Sequence, residues 1–124
     1  RFWGSPWTPT FLDWAFMLPR GEPLRERWRV IPDDTDVLIT HGPPKDVGDQ
    51  VSVGFKCQNV GCEDLRDRLQ QLSVRAHVFG HIHEGYGEYQ LGKARLVNAS
   101  TCTARYTPTN PPIVLDLEVL GDKP

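Results

Sequence analysis

Eleven prolines and eleven glycines fall between short apolar runs, and this spacing of backbone punctuation limits the fold more than any other feature of the chain. Proline inside a helix removes a hydrogen bond and clashes with the preceding turn, while glycine in an element interior carries an entropic cost. Many short elements joined by defined turns are therefore expected, which means a mixed α/β (α+β) domain rather than a helix bundle. At 124 residues the chain can build one compact core.

Charge narrows the partners. Fourteen Lys and Arg stand against sixteen Asp and Glu, spread without blocks for a net charge of −2. No basic stripe offers the phosphate-neutralising surface that nucleic acid requires, so no nucleic-acid partner is expected. No apolar run approaches the roughly 18 uninterrupted residues of a membrane span, and no membrane partner is expected either. Three cysteines, Cys57, Cys62 and Cys102, are too few for a disulfide scaffold or a four-cysteine zinc site. They suit a reducing compartment, and the expected location is the cytoplasm. Cys57 and Cys62 lie five apart, which leaves open a local disulfide or a structural zinc shared with a histidine beside the plainer reading of free thiols. Asn98-Ala99-Ser100 matches a glycosylation acceptor, but the tripeptide is common by chance and is discounted. The chain begins at Arg1 and its single methionine is Met17, so it is expected to be part of a longer protein. Its oligomeric state is left open.

Residues 1–10, rich in Trp and Pro, read as an ordered loop that needs covering. Helical spacing of Phe11, Leu12, Trp14, Ala15 and Leu18 predicts a short helix, and Leu24 and Trp28 predict a second over Glu22 to Val30. Asp36 to Thr40 and Val74 to Phe79 read as buried strands. Between them lie a long Gly- and Pro-rich loop, Gly42 to Gly61, and a helix over 62–72 whose apolar stripe is Leu65, Leu69 and Leu72. Tyr86 to Leu91 and Ala94 to Asn98 form a predicted hairpin about Gly92-Lys93, and Ile113 to Val119 a terminal strand.

Each buried strand ends in a histidine tag, where α/β proteins place their ligand sites. His81 and His83 are two apart; in an extended segment their imidazoles project to one side with α-carbons about 6.5 Å apart. A bare His-x-His pair is equally compatible with surface or hydrogen-bonded histidines. His41 occupies the equivalent place on the other strand, and Gly42-Pro43-Pro44 fixes the backbone after it. Three neutral imidazoles at neighbouring strand ends suit zinc, iron or manganese. His77, in mid-strand among apolar neighbours, reads instead as a satisfied buried histidine or as one that supports a metal ligand from behind.

Thr40-His41-Gly42-Pro43-Pro44 and Gly80-His81-Ile82-His83 resemble the last two metal-binding motifs of the calcineurin-like metallophosphoesterases. With Gly4-Ser5-Pro6-Trp7-Thr8-Pro9, Trp14-Ala15-Phe16, Arg20-Gly21, Gly80 to Gly87 and Asn98 to Pro112, the chain is similar to the metallophosphoesterase-domain-containing group, known from brain-expressed animal members. The resemblance implies that residues 1–124 are the C-terminal part of a four-layer αββα sandwich whose N-terminal part is absent. It also implies a centre of two divalent metal ions (Mn, Fe or Zn) that hydrolyses phosphoesters. His41 and His81 would bind one ion and His83 the other. The family's earlier Asp-x-His, Gly-Asp-x-x-Asp and Gly-Asn-His motifs, which supply the bridging aspartate and the remaining ligands, do not occur here.

Two dications held by neutral histidines alone would carry +4 with no carboxylate to offset it, so anionic ligands must come from outside the chain. The expected function is a phosphodiesterase or phosphomonoesterase acting on a small phosphoester, a nucleotide among the candidates, with residues 1–124 inactive alone. The alternative is a truncated or degenerate, non-catalytic module that binds or regulates.

Overall fold

The computed structural model describes residues 1–119. In chain order these form β1 (Phe2–Ser5), β2 (Thr8–Pro9), β3 (Met17–Leu18), α1 (Glu22–Arg29), β4 (Val37–Thr40), β5 (Gln50–Val53), β6 (Lys56–Asn59), α2 (Glu63–Gln71), β7 (Ala76–Phe79), a 3-10 turn (His83–Gly85), β8 (Gly87–Leu91) and β9 (Ala94–Asn98). The principal sheet has the order β1-β4-β7-β9-β8, parallel except for β8, which pairs antiparallel with β9. Two-stranded ribbons β2-β3 and β5-β6 stand apart from it. The fold is mixed α/β with a mixed sheet, as expected.

Both helices follow from their sequences. Glu22 begins α1, with proline in its first turn and Arg27 and Arg29 in its last, charges that complement the helix dipole. For α2, Glu63 and Asp64 occupy the first turn and Cys62 is the N-cap, its sulfur accepting from the Leu65 N–H. The i, i+4 pairs Leu24 and Trp28, and Leu65 and Leu69, bury one face of each helix against Ile31, Leu38 and Val74, with Trp3, Trp7 and Leu18 packed alongside. Three of the four tryptophans are thus core or core cover.

The register puts Trp3, Leu38, His77 and Leu96 in one row across the sheet, on the face the helices cover. Gly4, Ile39, Val78 and Val97 form a row on the opposite face, which Phe2 and Val37 share by strand alternation. There Phe2 is 74% and Ile39 47% exposed. Of the four layers implied, the described residues supply one helix layer and the sheet beneath it.

Strands β4 and β7, helix α2 and the β8-β9 hairpin stand where the sequence placed them. Other expectations are corrected. Phe11 to Leu18 is not a helix: Leu12 and Phe16 adopt left-handed φ of 55° and 57°, and Thr8 and Thr10 donate to the Phe16 and Leu18 carbonyls to form β2-β3. Its apolar residues have helical spacing, but only Leu18 of them packs on the core, and Phe11, Leu12, Trp14 and Phe16 remain exposed. Within residues 1–10, Phe2–Ser5 is a sheet strand, paired with β4. The 42–61 segment contains the β5-β6 hairpin. Ile113 to Val119 keeps its alternation, with Ile113, Leu115 and Leu117 half-buried, but forms no strand. Arg75 instead donates to the Glu118 carbonyl.

Candidate metal centre

Because β1, β4, β7 and β9 are parallel, their carboxyl ends share one edge of the sheet. His41 follows β4 there, and its carbonyl accepts from the Gly80 N–H at 2.9 Å, which ties the two tagged strand ends together. His81 then takes a left-handed φ of 69°. The chain turns sharply at that point, and His83 opens a 3-10 turn rather than continuing a strand. The expected extended segment, with both imidazoles on one side, is therefore corrected: His81 leaves the β region, where the alternation rule no longer applies.

The turn brings His81 to His41. His41 Nε2 lies 3.1 Å from His81 Nδ1, with ring centroids 4.6 Å apart. At metal–nitrogen lengths of about 2.0–2.1 Å, two neighbouring nitrogens on one ion are about 2.9 Å apart in octahedral and 3.3 Å in tetrahedral geometry. The observed separation suits two ligands of one ion. Burial, with His41 and His83 nearby, pulls His81 below the ordinary histidine range, which favours the neutral, ligating form.

His83 is held elsewhere. Its Nδ1 lies 3.1 Å from the Thr103 carbonyl, and Tyr106 meets its ring edge-on at 5.3 Å. A carbonyl only accepts, so Nδ1 carries a proton and Nε2 is the nitrogen left to ligate. Among the described residues no group of three or more His, Cys, Asp and Glu is placed to hold a metal ion. The structure thus joins His41 to His81, while His83 takes Thr103 and Tyr106 as its partners.

Residues other than the three candidate ligands fix this geometry. Thr40 Oγ1 lies 2.7 Å from the Gly42 carbonyl and 2.8 Å from His77 Nε2. The hydroxyl has one proton and the carbonyl needs it, so His77 Nε2 donates to Thr40 and Thr40 donates to Gly42, a relay that spans His41. His77 is fully buried, and burial lowers its pKa to about 3. Only half of the expected satisfaction is met, since His77 Nδ1 has no hydrogen-bond partner among the described residues. Gly42 must be small: a Cβ there would lie 2.8 Å from Thr8 Oγ1.

Asn98 holds the second turn. Fully buried at the end of β9, it donates to the carbonyls of Ile82 at 2.7 Å and Gly48 at 3.0 Å, and accepts from Ser100. Ile82 lies between His81 and His83, so this amide sets the backbone of both. Burial also removes Asn98 from any glycosylation reading. A polar residue directly after the apolar pair Leu96-Val97 was the available signal.

The Lys45–Gly48 loop is tied to its surroundings, with Lys45 on the Asn59 carbonyl and Asp46 on Arg66 and Asn59. Cys57 is exposed on β6, whereas Cys62 is buried with its sulfur engaged by Trp28 Nε1 and Leu65 N–H. All three cysteines are free thiols. The shared zinc reading loses its geometry.

No protein-family model matches the chain. Over 118 residues it is 53% identical to metallophosphoesterase domain-containing protein 1 of Homo sapiens, a match covering 94% of this chain and 36% of that protein, with the same values for the Mus musculus protein. The chain belongs to the metallophosphoesterase-domain-containing proteins. It spans about a third of the length of these relatives. A UPF0046 protein of Caenorhabditis elegans is 39% identical over 118 residues, 94% of this chain and 29% of its own. One solved crystal structure superposes with a TM-score of 0.50 at 19% identity, over 80% of this chain and 39% of that one, a likeness of fold alone. No described helix is long and apolar enough to cross a membrane.

Proposed function

We propose that this metallophosphoesterase-domain chain supplies the histidine side of a two-metal centre that hydrolyses a small phosphoester, a nucleotide among the candidates. The observation that carries this reading is the approach of His41 Nε2 to His81 Nδ1 at 3.1 Å on joined strand ends. These two side chains would hold one ion, and His83, with Nδ1 committed to Thr103, would offer Nε2 to the other. Divalent ions there, manganese, iron or zinc, would lower the pKa of water and offset charge on the phosphate oxygens. His77, Thr40 and Asn98 keep the imidazoles in place without touching substrate. The carboxylates that a dication pair requires would come from the remaining two-thirds of the longer relatives' length. Free thiols at Cys57, Cys62 and Cys102 support a cytoplasmic location.

Hydrolysis of bis(p-nitrophenyl) phosphate by the full-length protein with added manganese tests the proposal. The expected result is turnover that falls by at least about 100-fold in His81→Ala and in His83→Ala. Absence of turnover in a folded, manganese-loaded protein would replace it with the non-catalytic binding or regulatory reading.

A further inference from the structure

The sheet has a second built edge, opposite the histidines. Val74 and Arg75 lead into β7 and Lys93 leads into β9, so these residues gather at the amino ends of the parallel strands. There a cavity of about 590 Å³ opens between the end of α2, the entry to β7 and the β8-β9 hairpin, within the roughly 300–1,000 Å³ usual for small-molecule sites. Leu69 and Val74 form its buried floor, at 7% and 5% exposure. Half-buried Leu72, Leu91 and Leu117 add to the apolar lining. Leu91 packs against both core clusters, which fixes the hairpin wall.

The charged part of the lining is wholly cationic. Arg75, Lys93 and Arg95 border the cavity, and among the described residues no Asp or Glu does. Arg75 is half-buried and donates to the Glu118 carbonyl, a neutral acceptor that leaves its charge unbalanced. Arg95 pairs with Glu88 at 3.0 Å, whereas exposed Lys93 has no ion-pair partner among the described residues. Two of the three charges thus await an anion. The carboxyl end of α2 borders the same space, but its partial negative charge of about half a unit does not offset two whole cations. An apolar floor beneath a cationic rim fits a molecule with an alkyl chain and one anionic head group.

We infer that this cavity binds an anionic amphiphile of the fatty-acid class, with its carboxylate at Arg75 and Lys93 and its alkyl chain against Leu69, Val74 and Leu91. Charge complementarity selects the head group, and the buried floor selects the chain. The site is separate from the strand-end histidines and does not rest on the phosphoesterase reading.

Calorimetry of the full-length protein with decanoate, kept below its micelle concentration, tests the site. Decanoate is expected to bind at least about tenfold more tightly than butyrate, which lacks the long chain, and than decyltrimethylammonium, which reverses the head-group charge. Lys93→Glu should weaken decanoate about tenfold, and Lys93→Arg should retain it. Ser73→Trp, which puts an indole in the exposed part of the lining, should abolish binding, with thermal melts close to the wild type showing that the variants are folded. Decanoate affinity should agree within about twofold with and without manganese, which separates the cavity from the candidate metal centre. Equal binding of the cationic amphiphile, decanoate affinity unchanged in Lys93→Glu, or affinity that requires manganese would overturn the inference. Binding absent from the folded wild type, or gained only when residues 120–124 are deleted, would overturn it as well, the second result assigning the cavity to that segment.

Discussion

His77 shows how a single buried side chain can govern a site it does not enter. Its neutral ring donates through Thr40 to the Gly42 carbonyl, so the peptides on both sides of His41 are fixed from within the sheet. Thr40→Val keeps the shape but strands two buried polar groups, and a loss of about 1–3 kcal/mol in urea unfolding is expected. Acid should act through the same residue. With its pKa near 3 folded and near 6.5 unfolded, the unfolded state binds the extra proton between those values. The contribution is fully present above pH 6.5 and is lost as pH falls toward 3, by on the order of 1 kcal/mol per pH unit. Urea midpoints from pH 7 to 4 should therefore drop less steeply in His77→Leu than in the wild type. Asn98→Asp gives a second check at this scale. It cannot donate to the Ile82 and Gly48 carbonyls, and hydrogen exchange should report a loosened 80–85 turn before global unfolding.

Individual elements were legible where a local pattern and a burial demand agreed. Helix α2 announces itself through two leucines four apart and acids in its first turn, and the β8-β9 hairpin through its Gly92-Lys93 turn. The 11–18 segment was misread because its apolar spacing is helical while only Leu18 of the set packs on the core. Periodicity reports which residues could share a face, not whether a core waits for them. His41 and His81 were likewise legible as strand-end tags, and Gly80 pointed to a turn at the strand end, yet the left-handed φ falls on His81 and not on the glycine, which Gly-His-Ile-His does not reveal. Exposed Leu12 at φ 55° carries strain that glycine or asparagine would relieve. Leu12→Gly should leave the melting temperature unchanged or raise it by a few degrees, equivalent to about 1 kcal/mol. A clear loss in a thermal melt would mean that the Leu12 side chain packs in solution.

On the whole-molecule scale the sheet has one face under α1 and α2 and an opposite face on which Phe2 and Ile39 stand exposed, with β1 as an edge strand. Residues 1–124 expressed by themselves should self-associate through that face. Light scattering should report a mass above the 14.1 kDa chain that falls toward it in Ile39→Lys. In the full-length protein the same substitution should instead lower stability, if the additional chain of the longer relatives covers this face. The strand ends that carry the histidines belong to this same sheet, so the fold and the proposed centre stand together. Anomalous diffraction from crystals of the full-length protein grown with manganese tests that centre most directly. The account predicts one ion bound by His41 Nε2 and His81 Nδ1 at about 2.2 Å and a second bound by His83 Nε2. Imidazoles still hydrogen-bonded to each other, with manganese absent from all three, would contradict it.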